Sequence, residues 1–189
     1  MTAGKRETMT PPQTPDDALA RLTPADFRSR TEISVRFRDL DAMGHVNNAV
    51  YFTFLEQGRV QYMRDLNLPA GIAETKGAGG GSALSVYQQR FPFVLVEAGC
   101  RYLAPVEIDT VLVVHTQMKS VGRKSFHFQY LITRKMDGQR VAVAWSAQVC
   151  YDYRSGRPRA VFPDLVERAE RLEKRSLRKS EEKKTIDCH

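Results

Sequence analysis

In residues 31–38, TEISVRFR, Ile33, Val35 and Phe37 alternate with polar neighbours, the two-residue period of a half-buried strand. Past residue 48 the period lengthens. Tyr51, Phe54, Leu55, Gly58 and Tyr62 recur three or four positions apart, with Val50 and Leu66 extending the stripe, which predicts a helix over residues 48–66. The stripe is broad and aromatic, so this helix is expected to be more core than surface, and Gly58 leaves room in its middle for a close neighbour. Asn47 or Asn48 can cap its first free amides. Pro69 ends it, and GIAETKGAGGGSA reads as a long glycine-rich loop.

After that loop the pattern is strand throughout. Segments 84–91 and 94–103 lead to a turn signal at Ala104 and Pro105. Segment 110–120 sets Leu112, Val114, Thr116 and Met118 on one face, and 125–134 does the same with Phe126, Phe128, Tyr130 and Ile132. The Asp-Gly pair of MDGQR supplies a hairpin turn. In 140–153, bulky Val141, Val143, Trp145, Val149 and Tyr151 oppose small Ala142, Ala144, Ser146 and Cys150, so the small face is expected to lie against something large. A strand, a long apolar helix and then antiparallel strands joined by short turns predict an α+β domain with one sheet and one central helix. Such a sheet has edges to cover, and self-association is expected.

The flanks differ in character. Residues 1–30 are expected to be an extension, largely disordered or in short helical turns, one of them capped by Thr23 with Pro24 at its first position. Residues 31–164 form the expected domain. Residues 165–189 read as a charged helix and tail, with Glu167 spaced to meet Arg171 and Glu170 to meet Lys174 over a thin apolar stripe, and a solvated helix is expected there.

Composition narrows the function classes. A chain of 189 residues, 42% hydrophobic, can bury a sizeable core. The net charge of +7 lies mostly in the central domain and suits a small phosphorylated ligand at least as well as nucleic acid, which demands a denser patch of one sign. Cys100, Cys150 and Cys188 form no short pairing motif, so neither a disulfide framework nor a zinc site is indicated, and a reducing cytoplasm is the expected location. The N-terminus lacks the apolar core of a signal peptide, no stretch is long and apolar enough to span a bilayer, and a soluble protein is expected. GAGGGS is not a phosphate-cradling loop, because a helix precedes it, a strand follows it, and no Lys-Ser/Thr pair is present.

Residues 39–48, DLDAMGHVNN, concentrate the candidate chemistry between the first strand and the helix. Two readings stand at this point. Asp39 and Asp41 can simply cap amides in a turn where Gly44 supplies an unusual dihedral and His45 bonds a carbonyl. Alternatively, free amides at the helix start hold a carbonyl oxygen as it becomes an oxyanion, and a carboxylate beside them attacks or activates water.

The run from Asp39 to Tyr51, DLDAMGHVNNAVY, followed by Glu56 and Arg59, resembles the signature of hotdog-fold acyl-CoA thioesterases of the 4-hydroxybenzoyl-CoA thioesterase-like group, and GRKSF (residues 122–126) resembles a second recurrent stretch of theirs. The similarity covers residues 33–164. It implies a hotdog fold, an antiparallel sheet of five or six strands wrapped around one long helix. It also implies hydrolysis of an acyl-CoA thioester to acid and coenzyme A, with Asp41 as nucleophile or general base and the Asn48 backbone amide polarising the thioester carbonyl. His45 either positions the thioester or water or supports the loop. Tyr51 lines the pocket or is structural, and Arg123, Lys124 and Ser125 lie near the coenzyme A phosphates. No metal and no cofactor beyond the coenzyme A of the substrate is implied, and the expected assembly is a homodimer or homotetramer with sites between subunits. A non-catalytic acyl-CoA or lipid-binding hotdog with a regulatory role is the alternative. Nucleic-acid binding has no helix-turn-helix pattern behind it, and a hotdog dehydratase lacks its His-centred motif here.

Overall fold

The computed structural model describes residue 19, residues 21–68 and residues 92–178. The glycine-rich loop and the strand expected at 84–91 lie outside the described residues. Six strands are formed: β1 (Ser29–Ser34), β2 (Phe93–Tyr102), β3 (Val111–Val121), β4 (Ser125–Arg134), β5 (Arg140–Asp152) and the two-residue β6 (Arg157–Pro158). They make one antiparallel sheet in the order β1-β3-β4-β5-β2, with β6 pairing β5. Helix α1 (Val50–Asp65) lies on its inner face and α2 (Pro163–Glu173) follows β6. This is the hotdog arrangement.

The two-residue periods place the core where the alternation predicts. Leu112, Val114, Thr116 and Met118 of β3, and Phe126, Phe128, Tyr130 and Ile132 of β4, are fully buried toward α1, whose Tyr51, Phe54, Leu55, Gly58 and Tyr62 face them. Tyr62 meets Phe128 edge-on at 5.0 Å between ring centroids. Gly58 is the close approach: a Cβ there would stand 2.5 Å from Thr116 Oγ1 and 2.9 Å from Val114 Cγ1. The small residues of β5 lie on this inner face. On the outer face Trp145 covers Gly99 so closely that no Cβ fits there.

Three expectations are corrected. Phe37, expected to point inward, is 81% exposed, because β1 ends at Ser34 and Phe37–Asp39 forms a short 3-10 turn. The extension is not free of the domain in its described part. Thr23 and Asp26 clasp each other's first turn as its capping signal predicts, while Leu19 and Phe27 bury themselves on the outer face against Leu131 and Val143. Most consequential, α2 is not a solvated helix. Leu165, Val166 and Ala169 are buried in the main core, and Glu173 at its end is buried too.

The reason lies in the sheet register. β1 begins opposite Thr116, so the β1 side of β3 beyond that point has no strand partner. The chain after α2 takes that place. Glu173 Oε1 accepts the Met118 amide and the Tyr62 hydroxyl, both at 2.8 Å, Arg175 donates to the carbonyls of Met118 and Lys119, and the Val121 amide donates to the Leu177 carbonyl. Burial pushes the Glu173 carboxyl above the ordinary glutamate range. Glu167 pairs with Arg171 as expected, whereas Glu170 turns to Ser176 and the Leu177 amide rather than to Lys174.

Candidate active site

The loop from residue 39 to residue 48 is held at both ends. Leu40 and Val46 form an isolated bridge, the Asp41 amide donates to the His45 carbonyl, and the Asn47 amide donates to the Asp39 carbonyl. The Val46 amide docks the loop on the Val106 carbonyl. Gly44 makes the turn possible with φ +81°, a left-handed dihedral that side chains disfavour.

Within this frame the two aspartates have different work. Asp39 is buried and receives Arg36 through both Nε and Nη2 at 3.0 Å as well as the Arg36 amide, which holds its carboxyl below the usual range. It is scaffold. Asp41 is half-buried, and its Oδ1 accepts the Met43 amide at 2.8 Å and the His45 amide at 3.2 Å. Its Oδ2 accepts nothing from the described residues, on a carboxylate that the two Oδ1 bonds already orient. Oδ1 of Asp41 thus does the capping that the first reading expected, and Oδ2 is left for the second.

The amides at the start of α1 differ in the same way. Asn47 Oδ1 takes the Ala49 amide at 2.9 Å, and the Asn47 carbonyl takes the Val50 amide. Asn47 thus does the capping. The Asn48 amide makes no hydrogen bond among the described residues; the Asn47 carbonyl of the same peptide, held by the Val50 amide, fixes its direction, and the Asn48 carbonyl of the next peptide accepts the Tyr102 hydroxyl at 2.9 Å. A fixed, unengaged N–H at a helix N-terminus is a donor for a developing negative charge.

His45 is held only through its backbone, and its imidazole is bonded to none of the described residues. Tyr51 is buried beneath the loop, packed edge-on against Tyr102 at 4.9 Å and tilted against Phe54 at 5.9 Å. Burial pushes its hydroxyl up to about 12, so it is a neutral hydroxyl at any physiological pH.

Arg123, Lys124 and Ser125 are not brought to this loop within one chain. β1 runs into the loop from opposite Val111, whereas Arg123 and Lys124 follow Val121 at the other end of β3, about 33 Å away at roughly 3.3 Å per residue. That far end carries more cations than the sequence reading marked. Arg159 donates its amide to the Cys150 carbonyl, the Cys150 amide donates to the Lys124 carbonyl, and the Val161 amide donates to the Arg123 carbonyl. Exposed Arg157 and Arg159 therefore flank exposed Arg123 and Lys124 in one strip. The signal for this was Ser155 and Gly156, a turn pair that folds the RSGRPR stretch back on β5 with Gly156 at φ +68°.

Comparison with known proteins places the chain in a family. Residues 35–169 match the family model described as Thioesterase-like superfamily. The chain is 29% identical over 145 residues to the long-chain acyl-CoA thioesterase FadM of Escherichia coli K12, covering 77% of this chain and 99% of FadM. It is 26% identical over 137 residues to the acyl-CoA thioester hydrolase YbgC of Escherichia coli O6:H1, covering 72% and 92%. Among solved structures, a thioesterase of Thermus thermophilus in complex with coenzyme A and zinc superposes with a TM-score of 0.64 at 28% identity, over 80% of this chain and 98% of that one.

Proposed function

This chain belongs to the Thioesterase-like superfamily, and on that premise we propose its reaction and the parts that perform it. It hydrolyses an acyl-CoA thioester to the free carboxylic acid and coenzyme A. The observation that carries the assignment of parts is that one loop holds an Asn48 amide and an Asp41 carboxylate oxygen that are both without a hydrogen-bond partner among the described residues. The Asn48 N–H receives the thioester oxygen as it gains charge, an interaction worth on the order of 100- to 1000-fold in rate. Asp41 either removes a proton from the attacking water or attacks the carbonyl itself, and the thiolate of coenzyme A leaves as the carbonyl reforms; in the second case water then opens the acyl-aspartyl anhydride to the free acid and restores the carboxylate. The His45 imidazole, free of the fold's own hydrogen bonds, contacts the thioester or the water, and Tyr51 supports the loop from below. The proposed steps use neither a metal nor a further cofactor. Among the described residues no three His, Cys, Asp or Glu side chains group as metal ligands.

The working unit is a dimer. β2 is an edge strand with Leu95 49% and Val96 58% exposed, a surface that invites pairing with a second copy. Its two ends point to different halves of the site. Tyr102 touches Asn48, and Phe93 pairs with Cys150, whose neighbours are Lys124 and Arg159. Antiparallel pairing of β2 with its two-fold copy sets the Phe93 end of one chain beside the Tyr102 end of the other. The strip of Arg123, Lys124, Arg157 and Arg159 of one copy then faces Asp41 and Asn48 of its partner, and holds the phosphates of coenzyme A. No helix among the described residues is long and apolar enough to cross a membrane, and the cytoplasm is the proposed location.

A free-thiol assay over short, long and aromatic acyl-CoAs tests the reaction. Thiol release from at least one substrate is expected; coenzyme A binding with no release from any would instead mark a binding protein. Single turnover in isotopic water then separates the two roles of Asp41, since label in its carboxylate means nucleophilic attack.

A further inference from the structure

We propose that a buried polar network beneath α1 selects acyl chains carrying an oxygen function, such as a hydroxyl, well out from the thioester. This deepens the thioesterase reading and rests on it. Arg59 of α1 donates from Nη1 to Tyr130 Oη at 3.3 Å, Tyr130 Oη and Ser146 Oγ share a hydrogen at 2.6 Å, and Gln148 Nε2 donates to Ser146 Oγ at 2.7 Å. Tyr130, Ser146 and Gln148 are fully buried. The network does not close. Of the two hydroxyl hydrogens one is spent between Tyr130 and Ser146 and the other has no acceptor among the described residues, while Gln148 Oε1 is buried and accepts nothing. Buried polar groups are nearly always partnered, so one unspent donor beside one unspent acceptor marks a place for a group that offers both, which a hydroxyl does.

Its position relative to the proposed site is set by the register. Tyr102 binds the Asn48 carbonyl and pairs with Ala142, so this end of β5 lies at the start of α1. Ser146 is about 13 Å further along β5, and Arg59 is about 16 Å along α1 from Asn48. Beside the fully buried Ala142 and Ala144 of β5 lie Cys100 and Ala98 of β2, small residues that are only half-buried, and Ala98 is paired with Ser146. In the proposal, a chain whose carbonyl sits at the Asn48 amide runs along Cys100 and Ala98 of β2 and reaches the network by entering between Ala98 and α1. A saturated chain arriving there leaves Gln148 Oε1 and the spare hydroxyl unpaired, whereas an oxygenated one satisfies them. Sites built to hydrogen-bond a substrate hydroxyl discriminate strongly against its absence.

The test compares kcat/KM for matched pairs, ω-hydroxydecanoyl-CoA against decanoyl-CoA and ω-hydroxydodecanoyl-CoA against dodecanoyl-CoA. The wild-type protein is expected to favour the hydroxylated member of at least one pair by roughly tenfold or more. Gln148→Leu should invert that ratio by losing the hydroxylated substrate and gaining the plain one. Ser146→Ala, a smaller change that keeps the test open if Gln148→Leu does not fold, should narrow it. Equal values within every pair, or an unchanged ratio in the variants, would mean that only water completes the network, and would overturn the specificity while leaving the thioesterase reading standing. No thiol release from any member would overturn the specificity, and none from the short, long and aromatic acyl-CoAs either would overturn both.

Discussion

Asp41 uses its two oxygens differently, and that division decides how its variants behave. An asparagine keeps the Oδ1 acceptor for the Met43 and His45 amides but removes the charge. Asp41→Asn is therefore expected to melt like the wild type and bind coenzyme A as well, while kcat falls by on the order of 100- to 10,000-fold. Asp41→Ala loses the loop anchor as well and should show a lower melting temperature. Asp39 behaves in the opposite sense. Arg36 holds its pKa below the ordinary value, so the stability it contributes is present above that value and lost as pH falls through the depressed one. Asp39→Asn should flatten the acid limb of the stability profile and affect turnover only through the shape of the loop, which melting curves across pH will separate from kinetics.

At the level of elements the strongest constraint is the contact of α1 with β3. Gly58→Ala drives a Cβ into Thr116 and Val114, and a cost of about 1–3 kcal/mol is expected, read as a shift in denaturant midpoint. Glu173 gives the second test. Its pKa is raised by burial, so the stability it contributes is full below its ordinary value and declines as pH rises through the elevated one. Glu173→Gln should remove that decline while keeping an acceptor for the Met118 amide and Tyr62. Why α1 and the faces of β3 to β5 were legible in the sequence, and α2 was not, follows from what each depends on. Periods of two and 3.6 are local, and Phe126 or Leu55 needs no distant information to declare its face. Docking of α2 depends on where β1 begins opposite β3, a register visible only in the folded sheet. Glu173 then reads as one more charge in a charged run. Phe37 misled for a related reason, since a strand's alternation continues on paper past the point where Arg36 and Asp39 bend the chain.

In the proposed dimer these parts join across a two-fold axis, and a mixing experiment tests that assembly. Asp41→Asn and a variant with Arg123, Lys124, Arg157 and Arg159 changed to alanine should each be nearly inactive. Dissociated and reassociated together, they should regain activity, because each mixed dimer holds one site with both halves intact. Failure to regain activity, with mixed dimers demonstrated, would place both halves in one chain. The motif half of the proposed site stands out in DLDAMGHVNN because its residues are contiguous. The cationic half was readable only in part, since Arg157 and Arg159 join Arg123 and Lys124 through pairing with β5 rather than through spacing. The closing of β3 by the chain after α2 also bears on synthesis. Arg175, which caps the Lys119 carbonyl, follows it by 56 residues. Strands are made in order at about 5–20 residues per second, so β3 waits seconds on the ribosome with that stretch of backbone unpaired. Until Leu177 emerges, this is an open edge on a nascent sheet, and it is there that chaperone dependence during translation is to be sought.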